Sequence, residues 1–547
     1  MRIFKLLLIF VWFATCECSK GSDQRARPVD PEQTVYYFDS RRGDDRNEGS
    51  RPDAPYRSLH MLTYARIKPG DVIYLAAGSQ FRGNIDWTNV SGTAENPVTV
   101  TSYGDSDELP CIDARGLAAG ICLQNCSHLR ISNLRIVADG SGGVSHDTAR
   151  DLGQRCGLIC RVTAPGSYTD IRVENLQVEK IFIEEPGYER DPDDVNSANG
   201  TEQYGYGIRF VNNTVEGAQL SGIVVRNCQV RDVSHTGIQF SGRKYSITDS
   251  EVSGCTVERS GGPGMQMSGV RNIHIHHNRI DRSGYPEESR NWKRGSGYWC
   301  WGSDRILFEY NRMTNANGPH DSAGAHIDYN CSNVVYQYNF SANNAGGFCE
   351  ILGNNHNCCY RYNVSVNDGQ RVKQTKGQWG FTVMISGYTG SKSVGPFNCY
   401  VYNNTIYTDT DKQSVITLTK TAEGLCLVNN LFCIKGSSQL FKNKDTGPIT
   451  RALMKNNLFY AATSWPADSF LSDTSPLYGD PDFANPGGWE IADYLPGDET
   501  LIRDRGIVLE PLPEDTVGLE IGLQVETDIL GNPVDGQPDI GAIELRN

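Results

Sequence analysis

The chain has 547 residues, 38% of them hydrophobic, with 57 glycines and a formal charge of −14. That content excludes a protein crossing the membrane many times, yet supplies enough apolar side chain for a core. The acidic balance excludes a nucleic-acid binder, whose phosphate contacts need clustered Lys and Arg, and suits a neutral or cationic ligand.

The first predicted element is a signal peptide over residues 1–18. Arg2 and Lys5 precede an apolar run from Leu6 to Ala14, then small residues and cysteines, a run too short to span as a stable anchor. "FATC", ending at Cys16, resembles a bacterial lipoprotein cleavage box. The expectation is an exported protein: secreted, periplasmic or an outer-membrane lipoprotein of a bacterium, touching membrane only through an N-terminal lipid. Residues 19–547 read as one monomeric domain. A cap over about 34–70 carries a short helix-like stretch from Leu59 to Ile67.

From there the sequence repeats itself. Phrases of the form apolar-x-apolar-x-x-Asn-x-x-apolar recur as "LRISNLRIV" (Asn133), "IRVENLQV" (Asn175), "IVVRNCQV" (Asn227), "IHIHHNRI" (Asn278) and "ILFEYNRM" (Asn311), then as "VYQYNFSA" (Asn339), "CYRYNVSV" (Asn363), "YVYNNTI" (Asn403), "CLVNNLF" (Asn430) and "LMKNNLFY" (Asn457). Each alternates with period two and breaks at Gly or Asn, as strands do. A unit of about 25 residues built of short strands is one coil of a solenoid, burying its apolar face against its neighbours. The fold predicted is all-β, a right-handed parallel β-helix from about residue 70 to 465 with long loop insertions and a looser C-terminal segment over about 466–547. An antiparallel sandwich or propeller would need Asn-Gly hairpins and less regular units.

Two further columns follow from the repeat. Asn315, Asn343 and Asn367 each fall four residues after a repeated Asn and are expected to stack as an asparagine ladder. Cys359, Cys399 and Cys426 each stand four before Asn363, Asn403 and Asn430, and Cys228 and Cys255 share another repeat position. Of the 17 cysteines, those in columns read as reduced, buried fillers rather than disulfides. No CxxC pair has zinc-finger spacing.

The cap, the "KPGDVIYLAAG" that follows it, the "RYNVSVNDG" coils and the tail "DILGNPVDGQPDIGAIE" resemble secreted β-helix carbohydrate-active enzymes of the pectate-lyase-like superfamily. The resemblance covers nearly the whole chain, and it implies a polysaccharide or oligosaccharide substrate cleaved by glycoside hydrolysis or by lyase chemistry.

One region breaks the repeat with ionisable residues. Counting back from Asn311, Asn339 and Asn363 places Tyr298, His326 and Glu350 in one column, and Cys300, Asp328 and Leu352 in the next on the same face, with Trp299 aligned with Ile327 as a core residue. His326 and Asp328 flank Ile327, so period two sends both to the other face. His320 and Asp321 lie on the preceding loop and Asp368 in a later turn. Glycosidases use two carboxyl groups, one protonated and one ionised. The catalytic candidates are therefore Asp328 and Glu350, then Asp321 and Asp368, with His326. Trp292, Trp301 and Tyr329 are expected stacking surfaces for sugar, with His320, Arg371 and Lys373 as further substrate contacts.

No metal ligand is assigned and no cofactor is required, although Asp191, Asp193 and Asp194 on an acidic insertion have the oxygen ligands that Ca²⁺ takes. A polysaccharide lyase is the alternative, with Lys373 or Arg371 as base and acids holding a cation. A non-catalytic glycan-binding or adhesin β-helix is the third reading. Basic residues confined to an insertion, and strands carrying His and acids, favour hydrolysis.

Overall fold

The computed structural model describes residue 32 and residues 34–138, 155–182, 205–284, 295–318, 320–371 and 379–546. Among these, forty strands form three sheets of 14, 12 and 14 strands. Sheet 1 opens with Val35–Phe38, sheet 2 with Ile85–Thr88 and sheet 3 with Gln80–Arg82. Strands pair in parallel with their counterparts one coil away. The chain is a right-handed parallel β-helix. The segment expected as a cap already gives Val35–Phe38 to sheet 1, and its helix-like stretch is a 3₁₀ turn, Leu59–Thr63.

The corner between sheets 1 and 3 explains the repeated Asn, and it uses two adjacent positions. The outer one takes a left-handed backbone: Asn133, Asn175, Asn227, Gly254, His277, Tyr310, Tyr338, Tyr362, Asn403, Asn429 and Asn456 all have φ between 49° and 62°. Asn and Gly adopt this conformation most readily. The tyrosines there stack outside, Tyr310 on Tyr338 with ring centroids 4.9 Å apart.

The next residue points inward. Early coils fill that place with Leu134, Leu176, Cys228 and Cys255, and later ones with Asn278, Asn311, Asn339, Asn363, Asn404, Asn430 and Asn457, all buried. Each Asn Nδ2 donates to the next Oδ1 at 2.9–3.2 Å, and Asp473 receives the last at 2.6 Å. The remaining amide protons bond interior carbonyls such as Phe308 O. Buried amides are tolerated because they are satisfied in this way.

This inner row, formed by the repeated Asn themselves, is the main ladder, and in the doublet Asn403-Asn404 it takes Asn404 and not the counted Asn403. The expected Asn315, Asn343 and Asn367 row is only half formed: Asn343 donates to Asn315 at 2.7 Å, whereas Asn367 turns to Asp409. The same slip moves the cysteines. Cys359 and Cys426 share a column through Tyr400, and Cys399 faces Leu425 instead. All fifteen cysteines among the described residues are buried and free of disulfides.

The C-terminal segment corrects the expectation of looseness. Tyr494, Ile502, Leu509, Leu512, Leu519, Leu523, Ile529 and Ile540 are buried against outward-facing Val335, Tyr338, Tyr362, Tyr400 and Tyr402 as a second apolar layer. Burying each large side chain is worth about 1.5–3 kcal/mol, so outward tyrosines on these coils require the cover. Arg361 Nη1 fixes it by donating to Gly522 O at 2.7 Å.

Candidate active site

Sheet 2 carries the polar focus. In the consecutive strands Tyr298–Trp301, Ala325–Ile327, Gly347–Ile351 and Phe381–Ile385, Tyr298, Ala325, Ile327 and Ile351 are core residues. Period two turns Trp299, His326, Glu350 and Met384 outward. Register pairs Trp299 with His326, Ile327 with Ile351, and Glu350 with Met384. The expected alignment of Tyr298 with His326 is therefore off by one. The coil reaching Asn311 has one residue fewer between its sheet 2 strand and its corner. Trp299 does not face the core with Ile327 but stacks on His326, ring centroids 5.8 Å apart at 19°.

The strand that bears Glu350 pairs with the preceding coil at Ala323–Gly347 and at Ile327–Ile351, and the ladder is interrupted between those two positions. Interior tyrosines satisfy the backbone that pairing leaves open. Tyr336 donates to His326 O at 2.9 Å. The Tyr360 hydroxyl lies 3.0 Å from Ala325 O and 3.2 Å from Glu350 O, and accepts the Glu350 N–H at 3.4 Å.

His326 Nδ1 is 4.0 Å from Glu350 Oε2. Ser296 Oγ, 2.9 Å from Nδ1, accepts the Ala323 N–H at 3.1 Å and ties the ring to the preceding loop. On that loop Asp321 and Ser322 both adopt positive φ, 44° and 70°, an uncommon conformation that costs free energy for residues with a Cβ. Arg371 holds it by donating from Nη2 to Asp321 O. A Cβ on Gly346 would sit 2.1 Å from Asp321 O, so the turn packs directly on that glycine.

These contacts assemble an electrostatic cluster. Burial first, then the charges of Asp321 and Asp328, push the Glu350 carboxyl up to about 8 against the opposing charge of Arg371. Asp328 Oδ1 accepts the Tyr329 N–H at 2.8 Å. Tyr329 meets Trp301 edge to face at 5.8 Å. Asp321, His326, Asp328, Glu350 and Arg371 are thus gathered around one outer face, with the Trp301–Tyr329 pair beside Asp328.

Asp368 is not among them. It is buried at the corner after sheet 3, where Oδ1 accepts the Asn344 N–H and Nδ2 at 2.8 and 3.0 Å and Oδ2 accepts from Ser365 at 2.8 Å. Burial raises its carboxyl to about 6 against those hydrogen bonds, and its place is that of an inner ladder residue. His320 is half-buried on the Asp321 loop, its carbonyl accepting from Ser322 Oγ. Trp292, Lys373, Asp191, Asp193, Asp194 and the stretch 1–18 lie outside the described residues. Ser296, Trp299, Gly346 and Tyr360 are the contributors that sequence reasoning missed. Only the local Gly-Ser and Trp-rich phrase "GSGYWCWG" marks two of them.

A family profile described as "Right handed beta helix region" matches residues 206–406. A lacto-N-biosidase of Bifidobacterium longum subsp. longum is 24% identical over an alignment of 616 positions that takes in 93% of this chain. This chain spans 36% of that relative's length. The crystal structure of a GH136 lacto-N-biosidase from Eubacterium ramulus superposes with a TM-score of 0.55 at 22% identity, covering 75% of this chain and 68% of that one. XylC in complex with xylose superposes with a TM-score of 0.50 at 10% identity over 94% and 98% of the two chains. The fold is shared with carbohydrate-active β-helices.

Proposed function

We propose that the protein is a glycoside hydrolase acting on an oligosaccharide, with Asp321, Asp328 and Glu350 as its carboxyl machinery. The observation that carries this reading is the Glu350 carboxyl on the outer face of sheet 2, raised to about 8 by burial and by two neighbouring aspartates. At neutral pH a carboxyl raised this far keeps its proton, beside two further carboxyl groups. That is the composition glycosidic hydrolysis uses. Glu350 gives its proton to the leaving oxygen, and Asp328 acts from its ionised form as nucleophile or as base toward water. Asp321 holds the proton on Glu350 by its charge. His326, held by Ser296 and Trp299, bonds a sugar hydroxyl beside them in this reading.

The lacto-N-biosidase relative makes an oligosaccharide ending in lacto-N-biose the substrate to try first, and the stretch 1–18 supports action outside the cytoplasm. The test is incubation with a panel of oligosaccharides, reading new reducing ends and the absorbance of unsaturated uronates. Reducing ends without unsaturation support hydrolysis. Unsaturated products, or no cleavage of any glycan, contradict it.

A further inference from the structure

Beyond Glu350 the outer face of sheet 2 continues through Met384 to Thr417, each one strand further along. A pocket of about 370 Å³ opens there, lined by Met384, Ser386, Tyr388, Thr417, Phe441 and Asp445 among others. Tyr388 is 53% exposed, yet its backbone is braced. Its carbonyl accepts the Gly353 N–H at 2.9 Å and it bridges Ser393 across a tight turn. Its ring meets Tyr329 edge to face at 6.0 Å, and Tyr329 meets Trp301 in the same way at 5.8 Å. An aromatic row therefore runs from the carboxyl cluster to the pocket.

We propose that this pocket is a second sugar subsite, holding a pyranose of the oligosaccharide one ring away from the carboxyls, with Tyr388 as its stacking face. The assignment rests on the hydrolase reading above. A pyranose presents an apolar C–H face and a rim of hydroxyls, and recognising it takes an aromatic face, an apolar floor and a few fixed polar groups. Tyr388 supplies the first, and Met384 and Phe441 the second. The polar groups are the Ser386 and Thr417 hydroxyls and the Asp445 carboxylate, which Ser393 Oγ fixes at 2.6 Å. Successive strands are about 4.8 Å apart, a step close to the length of one sugar unit, so a ring here is the neighbour of the one being cleaved.

The test compares Tyr388→Ala and Tyr388→Phe on an oligosaccharide ending in lacto-N-biose and on the 4-nitrophenyl glycoside of the same disaccharide. Tyr388→Ala is expected to raise KM for the oligosaccharide about three- to tenfold with little change in kcat, and Tyr388→Phe to retain the original KM. An unchanged aryl-glycoside KM places the ring on the leaving-group side. A KM raised on both substrates, with Tyr388→Phe normal, places it on the other side, and both results support the subsite. An oligosaccharide KM unmoved by Tyr388→Ala overturns it, as does an equal loss in Tyr388→Phe. If the unmutated protein cleaves neither substrate, the hydrolase reading has failed, and calorimetry with the same oligosaccharide decides the subsite alone. Weaker binding by Tyr388→Ala than by Tyr388→Phe then supports it, and equal or absent binding overturns it.

Discussion

His326 and Glu350 share one column on the outside of sheet 2, Nδ1 4.0 Å from Oε2, where the ladder is interrupted between Ala323–Gly347 and Ile327–Ile351. Backbone that would pair elsewhere in the solenoid is held here by Tyr336 and Tyr360 from inside, and the outer face brings Glu350 under the charges of Asp321 and Asp328.

A pH prediction follows from Glu350. Its carboxyl lies near 8 in the folded chain and near 4.3 when unfolded, so folding favours the protonated form. The stability it contributes is complete below the unfolded value and is lost as pH rises toward 8. Melting temperature is expected to fall between pH 5 and about 8, and to fall less in Glu350→Gln. Glu544, also raised to about 8 by burial and by Asp539, contributes with the same sign in both proteins, so the difference between them isolates Glu350. Identical pH profiles in calorimetry would refute the assignment. Activity should decline on the alkaline side with an apparent pKa near that of the cluster.

Gly346→Ala tests the support of the Asp321 turn. The added Cβ meets Asp321 O and Ala323 N at 2.1 and 2.5 Å, so the turn must move. A displacement of this kind is expected to lower kcat about 10- to 100-fold, while overpacking costs about 1–3 kcal/mol of stability. Wild-type kcat in this variant would show that Asp321 needs no such placement.

The cysteine columns predict a thiol count. Titration of unfolded, unreduced protein should find the fifteen buried cysteines reactive. A count near one would reveal disulfides that the register of Cys359, Tyr400 and Cys426 gives no reason to expect.

The solenoid was legible because its corner needs a left-handed residue and an inward filler in every coil, and asparagine serves both. That double service also misled. Asn403 and Asn404 are each acceptable in either position, so spacing could not say which enters the ladder, and Cys399 slipped with them. His326 and Glu350 aligned correctly because their two coils have equal counts to the corner. Trp299 did not, because its coil is one residue shorter. Asp368 read as a free acid at a turn, yet a carboxylate accepts the Asn344 amide as well as an Asn carbonyl does. The buried C-terminal layer was hidden because its apolar residues are aperiodic and meet outward tyrosines more than a hundred residues away in sequence only after folding. The gathering of Asp321 with Asp328 and Glu350 depends on the contacts of Arg371 and Gly346, which no spacing rule reports.

If Asp321, Asp328 and Glu350 carry out the hydrolysis, kcat of their single variants reports it. Asp328→Asn and Glu350→Gln are each expected to lower kcat by about 10²–10⁴-fold on whichever oligosaccharide the native protein cleaves. Asp321→Asn should lower it by at least about tenfold and shift the alkaline limb to lower pH, since its charge helps hold the proton on Glu350. All three should melt within a few degrees of the native protein. Retention of near-native kcat by Asp328→Asn or Glu350→Gln, in a folded protein, would remove that residue from the catalytic machinery.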